Sequence, residues 1–330
     1  MTKQQLGQFF TTNYNYIFSD ISPFNANCDI IEPFCGNGDL LEFIKKFNPL
    51  NIVCYDIEPK HDYITKQDTL LNPPQYINKF VITNPPYLAR NKATDKTIYD
   101  KYNSNDLYKC FLHSLIKDTP SGGIIIIPSN FFCSIRKSDI ELRKLFLSKF
   151  DIIKVNFFEE TVFKDTSYSV CSMYFKLNKD KMDKFTITIF PSKKQIDVEL
   201  NDKNNYIIGG EMYKLPKSSY KITRATSKNI NNVNTNIVAK CMDDNQKSMI
   251  KLFYTEKNKE YIDTTPNLTF RSYCLLIIEP EITKELQKKL IVEFNNFLND
   301  KRNNYNSLFL TNYRESNTIQ RKRISFDMIY

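Results

Sequence analysis

A short apolar run, Asp29-Ile30-Ile31, leads directly into Glu32-Pro33-Phe34-Cys35-Gly36-Asn37-Gly38-Asp39, and an amphipathic stretch follows over 39–47. A strand that turns through two glycines into a helix opens a βαβ unit, and that unit commits the chain to a parallel sheet with helical crossovers. Glycine is scarce, 7 of 330 residues. Gly36 and Gly38 are therefore expected where the backbone takes positive φ or approaches a ligand closely. The next apolar run, 51–55, ends in Asp56, eighteen residues past Gly38. That is where a carboxylate gripping ribose hydroxyls belongs in such a unit. A dinucleotide fingerprint needs a third small residue at position 41, and Leu41 stands there, which disfavours NAD.

The alternation continues with a strand at 80–83, a helix at 106–116, a strand at 124–127, a helix at 140–150 and a strand at 152–157. Two further runs, 168–177 and 185–190, have no helix between them, so the sheet is expected to end in an antiparallel hairpin formed by these two. Past Pro191 the chain becomes polar and rich in Asn and Lys. The expected division is a catalytic domain over 1–190 and a smaller second domain over 191–330. One clear helix, 281–298, carries Ile282, Leu286, Leu290, Phe294 and Phe297 at helical spacing, the pattern of a packing face.

With 41% hydrophobic and 25% charged residues the chain has the composition of a folded soluble protein. No run approaches the roughly 20 apolar residues of a membrane span, and the N-terminus lacks a signal peptide's apolar core. An intracellular, non-secreted protein is expected, and the Lys, Asn and Ile bias points to an AT-rich microbial or viral genome. The eight cysteines form no Cys-x-x-Cys pair, and His61 and His113 are the only histidines. Reduced thiols and no structural metal follow. A formal net charge of +9 favours an anionic partner.

The strand at 80–83 ends in Asn84-Pro85-Pro86-Tyr87. Two prolines stiffen the loop and remove two backbone donors, leaving carbonyls as acceptors beside the Asn84 amide, while Tyr87 offers a flat face for a base. This tetrapeptide resembles the catalytic motif of the amino-group DNA methyltransferases, (Asp/Asn/Ser)-Pro-Pro-(Tyr/Phe/Trp). The Glu32 to Gly38 loop resembles the S-adenosylmethionine motif of class I methyltransferases. Other blocks of that family follow in order: 4–12 with Gln8, Phe9 and Thr11, then Asp68 in Lys66-Gln67-Asp68-Thr69-Leu70, then 105–111, Gly122-Gly123 and 124–128. The family usually has Thr-Pro where this chain has Thr11-Thr12. The order of blocks, over residues 4 to about 177, is similar to the γ group of adenine-N6 DNA methyltransferases, of the solitary or type II restriction-modification kind.

The resemblance implies a Rossmann-like class I S-adenosylmethionine-dependent methyltransferase fold, α/β with a mostly parallel sheet, followed by a smaller target-recognition domain. It implies a cofactor set of Gln8, Phe9, Thr11, Glu32, Phe34, Gly36, Gly38, Asp56, Ile57, Asp68, Thr69, Asn84 and Pro86. Glu32 would face the methionine ammonium, Asp56 the ribose and Asp68 the adenine amine. Catalysis would fall to Asn84, Pro85, Pro86 and Tyr87. Exocyclic adenine nitrogen is a poor nucleophile, and two acceptors that hold its protons would aim its lone pair at the sulfonium methyl. The target adenine must leave the duplex stack for an aromatic pocket, with Tyr87 as one wall and Phe163, in Thr161-Val162-Phe163-Lys164-Asp165, as the other by resemblance.

Double-stranded DNA is the expected partner, and any restriction endonuclease would be a separate protein. The tail carries Lys301, Arg302, Arg314, Arg321, Lys322 and Arg323 against Glu315 alone, a mix suited to phosphate contacts. Rival substrates for the same pocket are RNA adenine and a protein glutamine amide, and a catalytically inactive nucleic-acid binder is the non-enzymatic alternative.

Overall fold

The computed structural model describes residues 11–330 except 25, 164–168, 180–181, 217, 244–248, 266–271 and 314–320. The chain divides into two compact units, 1–201 and 202–330.

The first unit is built on a nine-stranded sheet. Its strands are β1 (Ile30–Glu32), β2 (Ile52–Asp56), β3 (Thr65–Lys66), β4 (Phe80–Thr83), β5 (Gly122–Pro128), β6 (Phe150–Phe158), β7 (Val170–Leu177), β8 (Lys184–Phe190) and β9 (Lys194–Glu199). They lie in the order β3-β2-β1-β4-β5-β7-β6-β8-β9. From β3 to β5 all neighbours run parallel. The chain lays down β1, β2 and β3 in one direction and then starts again on the other side of β1 with β4. A crevice opens at such a reversal, beyond the carboxyl ends of the strands. The ends of β1, β2 and β4 are where Glu32, Asp56 and Asn84 occur. Strands β4 and β5 are buried along their whole length, as expected for a sheet covered on both faces.

The crossover helices include α1 (Leu41–Lys45), α2 (Thr97–Tyr102), α3 (Leu107–Lys117) and α4 (Lys137–Leu147). Helices α3 and α4 are tied by a buried ion pair, Lys109 Nζ to Asp139 Oδ1 at 2.5 Å. The sheet does not end as the sequence pattern suggests. Strand β7 lies between β5 and β6, antiparallel to both, and β8 pairs parallel with β6. The terminal hairpin is β8–β9. Burial explains the difference. The first four residues of β7 are all buried, as in a strand covered on both faces, whereas β9 alternates exposed and buried residues. Because β9 belongs to the first sheet, the division between units falls after 201 rather than after 190.

The second unit contains β10 (Lys221–Arg224), β11 (Ile237–Lys240), β12 (Met242–Asp243), β13 (Lys251–Tyr254), β14 (Tyr273–Glu279), β15 (Thr311–Tyr313) and β16 (Arg321–Arg323). They form a four-stranded sheet, β10-β14-β11-β13, and a three-stranded one, β12-β16-β15, all antiparallel. Helix α5 (Lys284–Tyr305) starts at Thr283, whose side chain accepts from the Leu286 amide. Its Asn295 bonds both backbone groups of Leu252 on edge strand β13 at 2.9 Å, closing that edge to further pairing. Ile282, Leu290, Phe294 and Phe297 join the core as expected, but Leu286 is 39% exposed and Leu298 is fully buried. The helix begins later than the apolar spacing suggests, so Ile282 packs from outside it. Among the described residues no helix is long and apolar enough to cross a membrane.

Candidate active site

The loop after β1 is shaped by its two glycines, Gly36 at φ 56° and Gly38 at φ 80°. At Gly38 it is this backbone conformation that disfavours any side chain, since the nearest obstacle to a Cβ, the Tyr63 hydroxyl at 2.6 Å, ends an exposed side chain that can move. The loop is pinned to β2 twice. The Cys35 amide donates to the Tyr55 carbonyl at 2.8 Å, and the Gly36 amide donates to Asp56 Oδ2 at 2.8 Å. Asp56 Oδ1 also accepts from the Glu58 amide at 2.8 Å. A carboxylate has about four lone-pair sites, so Asp56 keeps capacity for a diol. Asp68 Oδ1 accepts from the amides of Leu70 and Leu71, both at 3.0 Å, and Thr69 donates to the Pro33 carbonyl at 2.9 Å. These bonds draw the ends of β1 and β2 and the segment after β3 around one cavity.

That cavity encloses about 1260 Å³ when the solvent at its open mouth is counted. Its walls contain Thr11, Glu32, Phe34, Gly36, Asp56, Ile57, Asp68, Thr69, Asn84 and Pro86, so one space gathers ten of the residues expected from sequence. Gly38 lies in the loop but not on the wall. Gln8 and Phe9 lie outside the described residues. Part of the wall was not foreseen: Leu88, Ala93, Thr94, Ile98 and Tyr99 close the cavity from the segment following the double-proline loop. The same segment is latched across the opening, since Lys101 Nζ and the Tyr102 hydroxyl reach the Leu70 carbonyl at 3.1 and 2.9 Å. The signal for it was its position immediately after Tyr87, but its mixed polar sequence shows no periodicity.

Glu32 is the electrostatic centre of the cavity. It is 1% exposed, burial drives its carboxyl well above the usual range, and among the described residues one of its oxygens has no hydrogen-bond partner. A buried carboxylate oxygen without a partner suits a cationic ligand. S-adenosylmethionine fits this donor set. By the resemblance, Glu32 would hold its ammonium, Asp56 its ribose hydroxyls and Asp68 its adenine amine. Phe34 stands edge-on to Phe111 at 5.1 Å, which fixes the loop against α3.

Asn84 projects from the end of β4. Its Nδ2 donates to Thr11 Oγ1 at 3.0 Å and its Oδ1 accepts from the Tyr87 hydroxyl. That hydroxyl also lies 2.7 Å from the Ile126 carbonyl. Tyr87 is 2% exposed, with its ring edge-on to Tyr108 at 6.4 Å, and it is not part of the cavity wall. Phe163 is likewise buried, at 6% exposed. Neither ring presents an open face in this conformation.

In the second unit, Lys301 bonds Glu211 Oε1 at 3.0 Å and lies over the rings of Phe297 and Tyr305. Arg302 reaches the Ile250 carbonyl at 3.2 Å and Asp243 at 3.5 Å. Lys322 is 6% exposed, and the Arg323 guanidinium lies over Phe326. Lys301, Arg302 and Arg323 are anchored by contacts within their own unit, and Lys322 is buried there. Arg314 lies outside the described residues, and only the backbone of Arg321 is described.

Residues 50–163 match the model of the family described as Eco57I restriction-modification methylase. The chain is 30% identical over 248 residues to the type II methyltransferases M.HincII and M.HindII of Haemophilus influenzae, with 69% of this chain covered in each case. Those alignments cover 47% and 46% of the two relatives, so the chain spans about half the length of the curated proteins it matches. A solved DrdV–DNA complex is similar at TM-score 0.47 and 13% identity, covering 73% of this chain and 35% of that one. The matched segment contains Asp56, Asp68, Asn84, Tyr87 and Phe163. Across residues 50–163 the chain is therefore similar to the Eco57I restriction-modification methylases.

Proposed function

We propose that this protein is a site-specific DNA methyltransferase that moves a methyl group from S-adenosylmethionine to the exocyclic N6 of a flipped-out adenine. The observation that carries the reading is a single cavity whose wall holds both buried Glu32, with an oxygen unpartnered among the described residues, and Asn84 and Pro86 of the double-proline loop. A cation-binding end and an amine-accepting end in one space suit a sulfonium donor and an amino acceptor.

When bound, the cofactor supplies an electrophilic methyl group. Glu32, Asp56 and Asp68 orient it. The Asn84 oxygen and the Pro85 carbonyl accept the two protons of the adenine amine, which localises the nitrogen lone pair toward the methyl. In the resting arrangement the Asn84 oxygen is engaged by the Tyr87 hydroxyl. The Ile126 carbonyl, 2.7 Å from that hydroxyl, can take the bond over and release Asn84 for the base. Because Tyr87 and Phe163 are both buried, base capture between them requires a local opening of the loop. The second unit supplies DNA contacts through Lys301, Arg302, Arg314, Arg321, Lys322 and Arg323, and the anchoring of the described side chains assigns them first to holding that surface in shape.

The test is transfer of labelled methyl to unmethylated duplex DNA, RNA and bulk protein, with mass identification of the modified nucleoside. N6-methyladenine in DNA supports the proposal. Label confined to RNA or to glutamine amides moves the same chemistry to another substrate, and N4-methylcytosine in DNA corrects the base.

A further inference from the structure

Cys35 and Cys54 stand nineteen residues apart, a spacing with no meaning in the sequence. Folding gives it one. The β1–β2 register sets Cys54 opposite Glu32, and the loop after β1 folds back so that the Cys35 amide bonds the Tyr55 carbonyl at 2.8 Å. One donor atom each from Glu32, Cys35 and Cys54 then lie within 4.8 Å of one another. All three residues are buried, at 1%, 4% and 4% exposed. Ile64 packs with the two thiols, and Leu41 and Ile52 cover the group. Among the described residues one Glu32 oxygen has no partner, and Glu32 and Cys35 form part of the cavity wall, so the cluster is dry behind and borders the cavity in front.

Two sulfurs and a carboxylate form the donor set of a tetrahedral Zn²⁺ site that keeps one position open. Sulfur donors select thiophilic ions over Mg²⁺ and Ca²⁺, which take oxygen ligands. A buried carboxylate beside two thiols is costly to charge, and a divalent ion supplies the opposite charge that burial removes from reach. We propose that Glu32, Cys35 and Cys54 form a binding site for a thiophilic divalent cation of the Zn²⁺ class, opening onto the cofactor cavity. On binding, two S–H bonds and the O–H bond of a protonated Glu32 carboxyl break, two metal–sulfur bonds and one metal–oxygen bond form, and the released protons leave to solvent. No oxidant or reductant is involved.

The site has a consequence for the proposed reaction, and this part rests on the methyltransferase reading. A cation on Glu32 occupies the carboxylate that the cofactor's ammonium needs, so the ion and S-adenosylmethionine exclude each other. Zinc-class ions would then act as inhibitors at the cofactor pocket and not as catalytic groups.

The chain has a second close pair of thiols, Cys241 and Cys274, with sulfurs 3.9 Å apart in the core of the second unit, and it serves as an internal control. The full-length reduced protein is titrated with Cd²⁺ while the ultraviolet thiolate-to-metal charge-transfer band is followed. The site predicts a band that saturates at one equivalent, is lost in both C54S and C54A, and persists in C274S, with unfolding curves confirming that each variant is folded. An absent band, a band retained in C54S, or a band lost only in C274S overturns it. Calorimetry with S-adenosylmethionine tests the second part: Zn²⁺ should raise the apparent Kd of the wild type and leave that of C54S unchanged. Cofactor affinity indifferent to bound Zn²⁺ overturns the exclusion. Failure of the metal-free wild type to bind S-adenosylmethionine would instead overturn the cofactor reading, independently of the Cd²⁺ result.

Discussion

At the residue scale, a few buried polar groups separate what stabilises this protein from what binds for it. Glu32 is buried with an oxygen unmatched among the described residues, so its charge serves a ligand at the expense of the empty fold. Glu32→Gln is expected to raise the thermal midpoint of the ligand-free protein while weakening S-adenosylmethionine by roughly ten- to a hundredfold, the range for losing a hydrogen bond between charged groups. Calorimetry and melting curves on the same samples check both signs. Asp106 makes a different prediction. Burial, opposed in part by Lys109, pushes its carboxyl up to about 6. Between the ordinary unfolded value near pH ~4 and pH ~6, the folded state holds a proton that the unfolded state has lost. The associated stability is full below that window and is lost as pH rises through it, by at most about 3 kcal/mol. Asp106→Asn should flatten this slope in denaturant midpoints measured from pH 4 to 7. Glu32, Asp56 and Asn84 were legible because each ends an apolar run, where a parallel strand delivers its last side chain to the crevice. Tyr87 was legible as a residue but not as a conformation, since sequence cannot reveal that its hydroxyl turns inward to Asn84 and Ile126.

At the scale of elements, the alternation of apolar runs and amphipathic stretches located β1, β2, β4, β5 and β6 to within a few residues, because buried parallel strands are nearly continuous in hydrophobicity. What it could not supply was strand order. The runs containing β7 and β8 follow one another with no helix between, which reads as a hairpin, yet β7 is inserted between β5 and β6. Its first half is buried on both faces, and adjacency in the chain carries no information about that. The start of α5 was misjudged for a related reason: Ile282 has helical spacing but packs from the turn before the helix. The cap itself is a local, testable element. Thr283→Ala removes the bond to the Leu286 amide at 3.3 Å and should cost about 1 kcal/mol in unfolding free energy, with no effect on cofactor binding. A loss of cofactor affinity in that variant would mean that α5 influences the first unit.

At the scale of the whole molecule, charge is distributed unequally. Residues 202–330 contain 21 Lys and Arg against 14 Asp and Glu, a net +7 of the chain's +9. The unit without the cofactor cavity thus carries most of the excess, as suits a surface that meets phosphates. Binding to duplex DNA should weaken steeply between about 50 and 200 mM salt, and a flat salt profile would argue against phosphate contacts. The existence of a second unit was legible in the loss of βαβ regularity past Pro191. Its antiparallel sheets were not, because its short strands are separated by polar segments of irregular length. The central claim joins the cavity to the double-proline loop, and a paired measurement on the wild type and Asn84→Ala tests it most directly. Calorimetry with S-adenosylmethionine is run beside single-turnover formation of N6-methyladenine in duplex DNA. The predicted result is S-adenosylmethionine bound by both proteins, more weakly by Asn84→Ala because Asn84 lines the cavity, and N6-methyladenine formed by the wild type alone. N6-methyladenine formed by Asn84→Ala at the wild-type rate would contradict the claim.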